Sequence, residues 1–352
     1  MISHITSGRA VGVALLGLTL QAPPAHGQDL GALLADYMDE ADFSGSVMVT
    51  KDGVSLLSSG YGMANLELGV PNSPSTKFRI GSITKQFTAM GILILQDQGR
   101  LKVEDRIGDH VPDVPESWRN LTIHQLLTHT SGIMHSWDLP GFAETMMIPA
   151  GLDGTLARFH DRALLFEPGT QFQYSGVGYF LLAKVIEVVS NREYAEFLRE
   201  EIFLPLGMHD TGADRPDDLL DQRASGYVQD EHGQIHNAPH IYVPILTGGG
   251  NLYSTVEDLA RWDRALSARR LSSEDAYESL DRPELNDYAY GWRVGEWEGH
   301  WAVRHSGGLP GFNAFILRIP DEDLCIVVLS NSVPGRARQI GQALAAIVLG
   351  TG

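Results

Sequence analysis

Strand signals in this 352-residue chain fall in two clusters, one near each end, with a long stretch of helical periodicity between them. Two ends forming one sheet around a helical insert is the simplest architecture with that order. Near the N-terminus, residues 45–50 and 54–59 flank Lys51, Asp52 and Gly53, a turn carrying the Asp-Gly signal of a hairpin. Near the C-terminus, residues 288–295, 300–305, 312–319 and 324–330 read as four more strands, separated by Gly, Pro and Asp. The hops between them are too short for helical crossovers, so this part of the sheet is antiparallel. A helix over 336–349 places Ile340, Leu344, Ile347 and Val348 on one stripe, suited to packing on that sheet.

Between the clusters the period is that of a helix. Residues 177–189 are nearly all apolar and predict a buried helix. Tyr194, Phe197, Leu198 and Ile202 share one face of another, which is expected to stop before Pro205 and Gly207. Ser254 and Thr255, each with an acid three residues later (Glu257, Asp258), give a capping-box signature for a helix over 256–266. There is no repeat and no linker. The fold class expected is α/β (α+β): an antiparallel sheet flanked by helices, from about 28–104 and 240–352, with an all-helical insert at about 105–239.

Composition removes several functions. With 26 basic and 44 acidic residues the formal charge is −18, which repels phosphate, so no nucleic-acid partner is expected. Cys325 is the one cysteine, which excludes a disulfide framework, and its apolar strand makes it an inert core residue. Residues 1–10 carry Arg9 and no acid, 11–20 are a short apolar run, and Pro23, Pro24, Ala25, His26 and Gly27 follow. That order predicts a secretory signal over 1–27 and a periplasmic or secreted mature chain over 28–352, with 25 basic against 44 acidic residues, or −19. The run falls short of the ~20 apolar residues of a spanning helix, so no stable membrane anchor is expected.

Three short motifs carry chemistry. Ser82 and Lys85 open an apolar helix that runs to Leu95, and three residues on a helix put both on one face. A serine hydroxyl becomes a good nucleophile once a neighbouring base takes its proton, and a buried lysine can assist; a helix cap beside a solvated lysine is the plain alternative. Tyr174 and Ser175 precede the buried helix at 177–189, where a phenol could shuttle a proton, or simply close the core edge. His305, Ser306, Gly307 and Gly308 come at the expected end of one strand, where glycines let a substrate lie along the backbone and a free amide can face an oxyanion; a turn is the alternative.

Taken together in this order, Ser82-x-x-Lys85, Tyr174-Ser175 and His305-Ser306-Gly307 resemble the penicillin-recognising serine hydrolases, in particular the class C β-lactamase-like branch with its D-stereospecific peptidases and esterases. The resemblance extends to residues 78–81, 126–132, 203–208, 249–255 and 307–312, and so spans nearly the whole mature chain. It implies a β-lactamase/transpeptidase-like fold, with Ser82 as the acylated nucleophile, Lys85 as its proton partner, and Tyr174 as general base and acid. The amides of Ser82 and Gly308 would form the oxyanion hole. His305 would stand where many relatives carry a lysine, facing a substrate carboxylate or the tyrosine hydroxyl. Ser175, Gly176, Ser306, Gly307 and Gly308 would line the substrate site.

Two departures bear on the substrate. Where the family often has an asparagine two residues after the tyrosine to bind a substrate amide, this chain has Gly176, which offers no such contact. Where a lysine is common, it has His305, only partly charged near neutral pH. Both point towards a peptidase or esterase acting on a small molecule or short peptide, with no cofactor, and away from an efficient β-lactamase. A non-catalytic peptide- or peptidoglycan-binding protein with the same fold is the rival reading. His124, His129 and His135 lack the short spacings of a metal site, so no metal is expected. Gly248, Gly249 and Gly250 lack the lysine and helix of a phosphate loop and predict a close-packed strand beside the site. The aromatic pairs Tyr290 with Trp292 and Trp297 with Trp301 are assigned to sheet packing.

Overall fold

The computed structural model describes residues 29–351, so the signal expected over 1–27 lies outside the described residues. Six strands make the principal sheet: β1 (Gly45–Lys51), β2 (Val54–Tyr61), β3 (Arg293–Trp297), β4 (His300–Leu309), β5 (Phe312–Ile319) and β6 (Leu324–Ser330). They lie in the order β3-β4-β5-β6-β1-β2, every neighbouring pair antiparallel. The N-terminal hairpin docks on the last strand, Gly45 opposite Ser330 and Lys51 opposite Leu324, so the two ends of the chain do close one sheet.

Both faces of that sheet are covered, and β1 and β6 are apolar on both sides for that reason. Val47, Val49, Ile326 and Val328 meet Leu34 and Met38 of helix α1 (Leu30–Glu40) and Ile340 and Leu344 of helix α5 (Ala337–Leu349). Met48, Val327 and Leu329 alternate to the other face and join the larger core. That core is built on α2 (Thr84–Asp97), α3 (Gly176–Ser190) and α4 (Val256–Ser267). Every residue of α2 from Thr84 to Leu95 is buried, the apolar run from Ala89 to Leu95 as its sequence requires and the polar first turn with it. A Cβ at Gly91 would lie 3.1 Å from Ile186 Cδ1, so that glycine lets α2 and α3 approach closely. Thr255 caps α4, its side chain accepting from the Asp258 N–H at 3.1 Å.

The insert expected to be all-helical over about 105–239 is helical only between Ile107 and Leu206; beyond it, short strands at Gly212–Ala213, Tyr227–Gln229 and Ile235–Asn237 pair into small side sheets. Four local expectations change. The strand expected from 288 starts at Arg293, because Tyr288–Trp292 forms a tight turn closed by the Ala289 N–H on the Trp292 carbonyl at 2.8 Å. Gly291 in that turn has φ +79°, and a Cβ there would lie 2.7 Å from the Lys85 carbonyl oxygen. The strand expected to stop at His305 runs on to Leu309, its glycines being paired with β5. The glycines at 248–250 form a turn, and the strand beside them is Leu252–Ser254. Finally, the helix from Tyr194 widens into a π turn at Arg199–Phe203 and carries Pro205 into a last helical turn, where a missing N–H is tolerated. Among the described residues no helix is long and apolar enough to cross a membrane.

Candidate active site

Ser82 lies in a 3-10 turn, Gly81–Ile83, that leads into α2. From Ile80 to Leu95 every residue is buried except Ser82, which is partly exposed. The turn is pressed backbone to backbone against β4. A Cβ on Gly307 would lie 1.9 Å from the Ile80 carbonyl oxygen, and one on Gly81, at φ +50°, would lie 2.7 Å from the Gly308 nitrogen. Glycine is therefore a steric requirement at both positions. The pairing of β4 with β3 ends at Arg304, which leaves the backbone of His305–Gly308 unpaired on that edge. An extended substrate can hydrogen-bond along such an edge.

Lys85, 1% exposed, reaches back to the same place. Its Nζ donates to Ser82 Oγ at 3.2 Å and to the Gly249 carbonyl at 2.7 Å, and it stands 5.0 Å from the centre of the Tyr174 ring. Among the described residues no carboxylate forms an ion pair with it. The glycine turn at 248–250 thus holds the lysine through a carbonyl. A Cβ on Gly248 would meet the Tyr179 carbonyl at 2.4 Å, which is why that turn can sit against α3.

Tyr174 is brought to Lys85 by the start of α3 and is surrounded by rings: His129 at 4.3 Å, His135 at 5.4 Å, Tyr288 at 6.1 Å and His305 at 6.4 Å between centroids. Burial, and after it the charge of Lys85, pushes His305 down to about 3, His135 down to about 4 and His129 well below the usual imidazole range. All three imidazoles are therefore neutral at pH 7.

The structure corrects the expectations for three of the remaining residues. His305 does not face a substrate carboxylate or the Tyr174 hydroxyl. Its Nδ1 lies 2.7 Å from the Ser306 carbonyl, which only accepts, so Nδ1 carries the hydrogen; Nε2 lies 3.1 Å from the Tyr288 hydroxyl and accepts from it. With both nitrogens engaged and 6% exposure, His305 is a buried wall of the site. Ser175 does not line the substrate site either: it caps α3, donating from Oγ to the Met134 carbonyl at 2.9 Å and accepting the Gly178 N–H at 3.2 Å. Gly176 is buried, and its N–H is held by His135 Nδ1 at 3.0 Å. Ser306 and Gly308 are exposed, while Gly307 is buried against the Ser82 turn.

Neither Tyr288 nor His135 belongs to a motif legible in the sequence. Tyr288 was hidden by the expectation of a strand, and His135 touches Tyr174 only through the fold. Of the other histidines, His124 Nδ1 lies 2.7 Å from the Tyr290 hydroxyl, and His129 Nδ1 accepts the Ser175 N–H at 3.2 Å.

Residues 30–349 match the family described as Beta-lactamase. Penicillin-binding protein 4* of Bacillus subtilis is 31% identical over 332 residues, covering 86% of this chain and 71% of its own. The octameric penicillin-binding protein homologue from Pyrococcus abyssi superposes with a TM-score of 0.81 at 29% identity, over 92% of this chain and 77% of that one. A D-stereospecific amidohydrolase from Streptomyces gives a TM-score of 0.77 over 94% of this chain and all of that one; at 23% identity it shows the fold alone. A matched span of nearly the whole described chain, on a fold with Ser82, Lys85 and Tyr174 brought together, means that this chain belongs to the β-lactamase family of penicillin-recognising serine hydrolases.

Proposed function

We propose that this protein is a serine hydrolase that cleaves an amide or ester through an acyl-enzyme on Ser82. One observation carries the reading: Ser82 is the single partly exposed residue in a buried segment, and its Oγ lies 3.2 Å from the Nζ of a buried lysine. In the first step the Ser82 hydroxyl passes its proton to the Lys85–Tyr174 pair while Oγ bonds to the acyl carbon. The carbonyl electron pair moves to oxygen, where the Ser82 and Gly308 N–H groups donate. Collapse breaks the bond to the leaving group, which takes the proton from Tyr174. Water then repeats the sequence on the acyl-enzyme.

The lining of the site supports a choice among substrate classes. A neutral, fully engaged His305 gives no cation to hold a substrate carboxylate, which favours amides and esters without a carboxylate beside the scissile bond over β-lactams. Export by the signal read over 1–27 would place the enzyme where D-amino-acid peptides of the cell wall occur. A fluorophosphonate probe followed by peptide mapping tests the nucleophile. Labelling is expected on Ser82 and lost in Ser82→Ala; labelling that survives that substitution would sink the assignment.

A further inference from the structure

The room left by the missing side chain at 176 is filled. A Cβ on Gly176 would lie 3.1 Å from Ser136 Oγ and 3.3 Å from both Cε1 and Nδ1 of His135. The His135 ring stands edge-on to Tyr174, 5.4 Å between centroids. Its neighbours fix its proton: Nδ1 accepts the backbone N–H of Ser136 and that of Gly176, each at 3.0 Å, so the hydrogen sits on Nε2. That Nε2–H has no acceptor among the described residues, and it is not sealed from solvent as His129 Nε2 is. Burial and the charge of Lys85 keep the ring neutral, and so keep it in this tautomer, at pH 7. Two backbone amides therefore lock one free, neutral N–H donor on a ring that packs against Tyr174.

We infer that His135 supplies, through Nε2–H, the substrate-amide contact for which Gly176 has no side chain, so that the site selects acyl donors bearing a carbonyl acceptor next to the scissile group. N-acylated amino acids and short peptides have that group; simple carboxylic esters do not. The donor is of the same kind as an asparagine N–H, delivered from a different element. The inference rests on Ser82 being the nucleophile.

Two p-nitrophenyl esters with the same leaving group test it, one of an N-acetylated alanine, in each configuration, and one of the matching acid without the acetamido group. The readout is the ratio of their kcat/KM values in the wild type, His135→Asn and His135→Gln. Asparagine keeps an acceptor for the two backbone amides but is too short to place a donor at Nε2; glutamine can present one there. Loss of one neutral hydrogen bond is expected to lower the preference for the N-acetylated ester about tenfold in His135→Asn, with His135→Gln retaining more of it. An unchanged ratio in His135→Asn, or an equal slowing of both esters, would reduce His135 to a helix-start brace and overturn the inference. Fluorophosphonate labelling of Ser82 separates the two failures. A labelled Ser82 with an unchanged ratio overturns only the role of His135, whereas a wild-type protein that takes no label overturns the nucleophile and this role with it.

Discussion

Gly307→Ala puts one methyl group where the structure has least room. The new Cβ would stand 1.9 Å from the Ile80 carbonyl oxygen, 2.9 Å from the Ile80 carbonyl carbon and 3.3 Å from the Ser82 nitrogen. None of these neighbours is the flexible end of a side chain, so β4 and the Ser82 turn must part. Restoring even 3.0 Å to the carbonyl oxygen requires a displacement of about 1.1 Å, taken from the 1.9 Å contact. A misplacement of about 1 Å between reacting groups can cost on the order of 100-fold in rate. Overpacking of this kind costs about 1–3 kcal/mol of stability. The assay is kcat on a p-nitrophenyl ester together with a denaturant melt. Gly308→Ala is the control, since nothing lies within 4 Å of its Cβ, and its stability should match the wild type. Wild-type kcat and wild-type stability in Gly307→Ala would refute the close docking of strand and turn on which the site depends.

Stability should fall with acid through the buried imidazoles. His305 and His135 are held at about 3 and about 4, below the 6.5 of a free imidazole, so the unfolded chain binds more protons than the folded one below that value. Their contribution is intact above about pH 6.5 and drains away as pH falls towards 4 and 3, by up to about 1.4 kcal/mol per pH unit for each group. Urea melts between pH 7 and 4 measure it, and a flat profile would contradict the burial of these rings. Beneath α4, Arg318 Nε donates to Asp263 Oδ1 at 2.5 Å, with the two side chains 8% and 10% exposed. Arg318→Met should cost about 3–5 kcal/mol by stranding the aspartate, and adding Asp263→Leu should recover much of it; two equal losses would show that the charges are not paired in solution.

The contact between Ser82 and Lys85 and the sheet were legible because each is written in local spacing. Ser82 and Lys85 are three residues apart at the entry to an apolar helix, and the strands of both ends alternate or run apolar as their two covered faces demand. What stayed hidden is tertiary. Tyr288 reaches His305 across 17 residues and Gly176 reaches His135 across 41, and neither pairing leaves a periodic trace. The glycines misled in a physical way. Those at 307 and 308 suggested the end of a strand, yet they belong to one whose backbone must lie against another backbone. Those at 248–250 suggested a strand and form the turn that holds Lys85. By analogy with a lysine His305 would face the substrate, and only its two partners reveal that it points inward.

The covalent intermediate on Ser82 is open to direct observation by rapid-quench mass spectrometry during turnover of a slow ester. A transient mass increase equal to the acyl group is expected, mapped to the peptide containing Ser82, abolished in Ser82→Ala and formed more slowly in Lys85→Met. Turnover with no acylated Ser82 at any quench time, or an adduct on another residue, would contradict it.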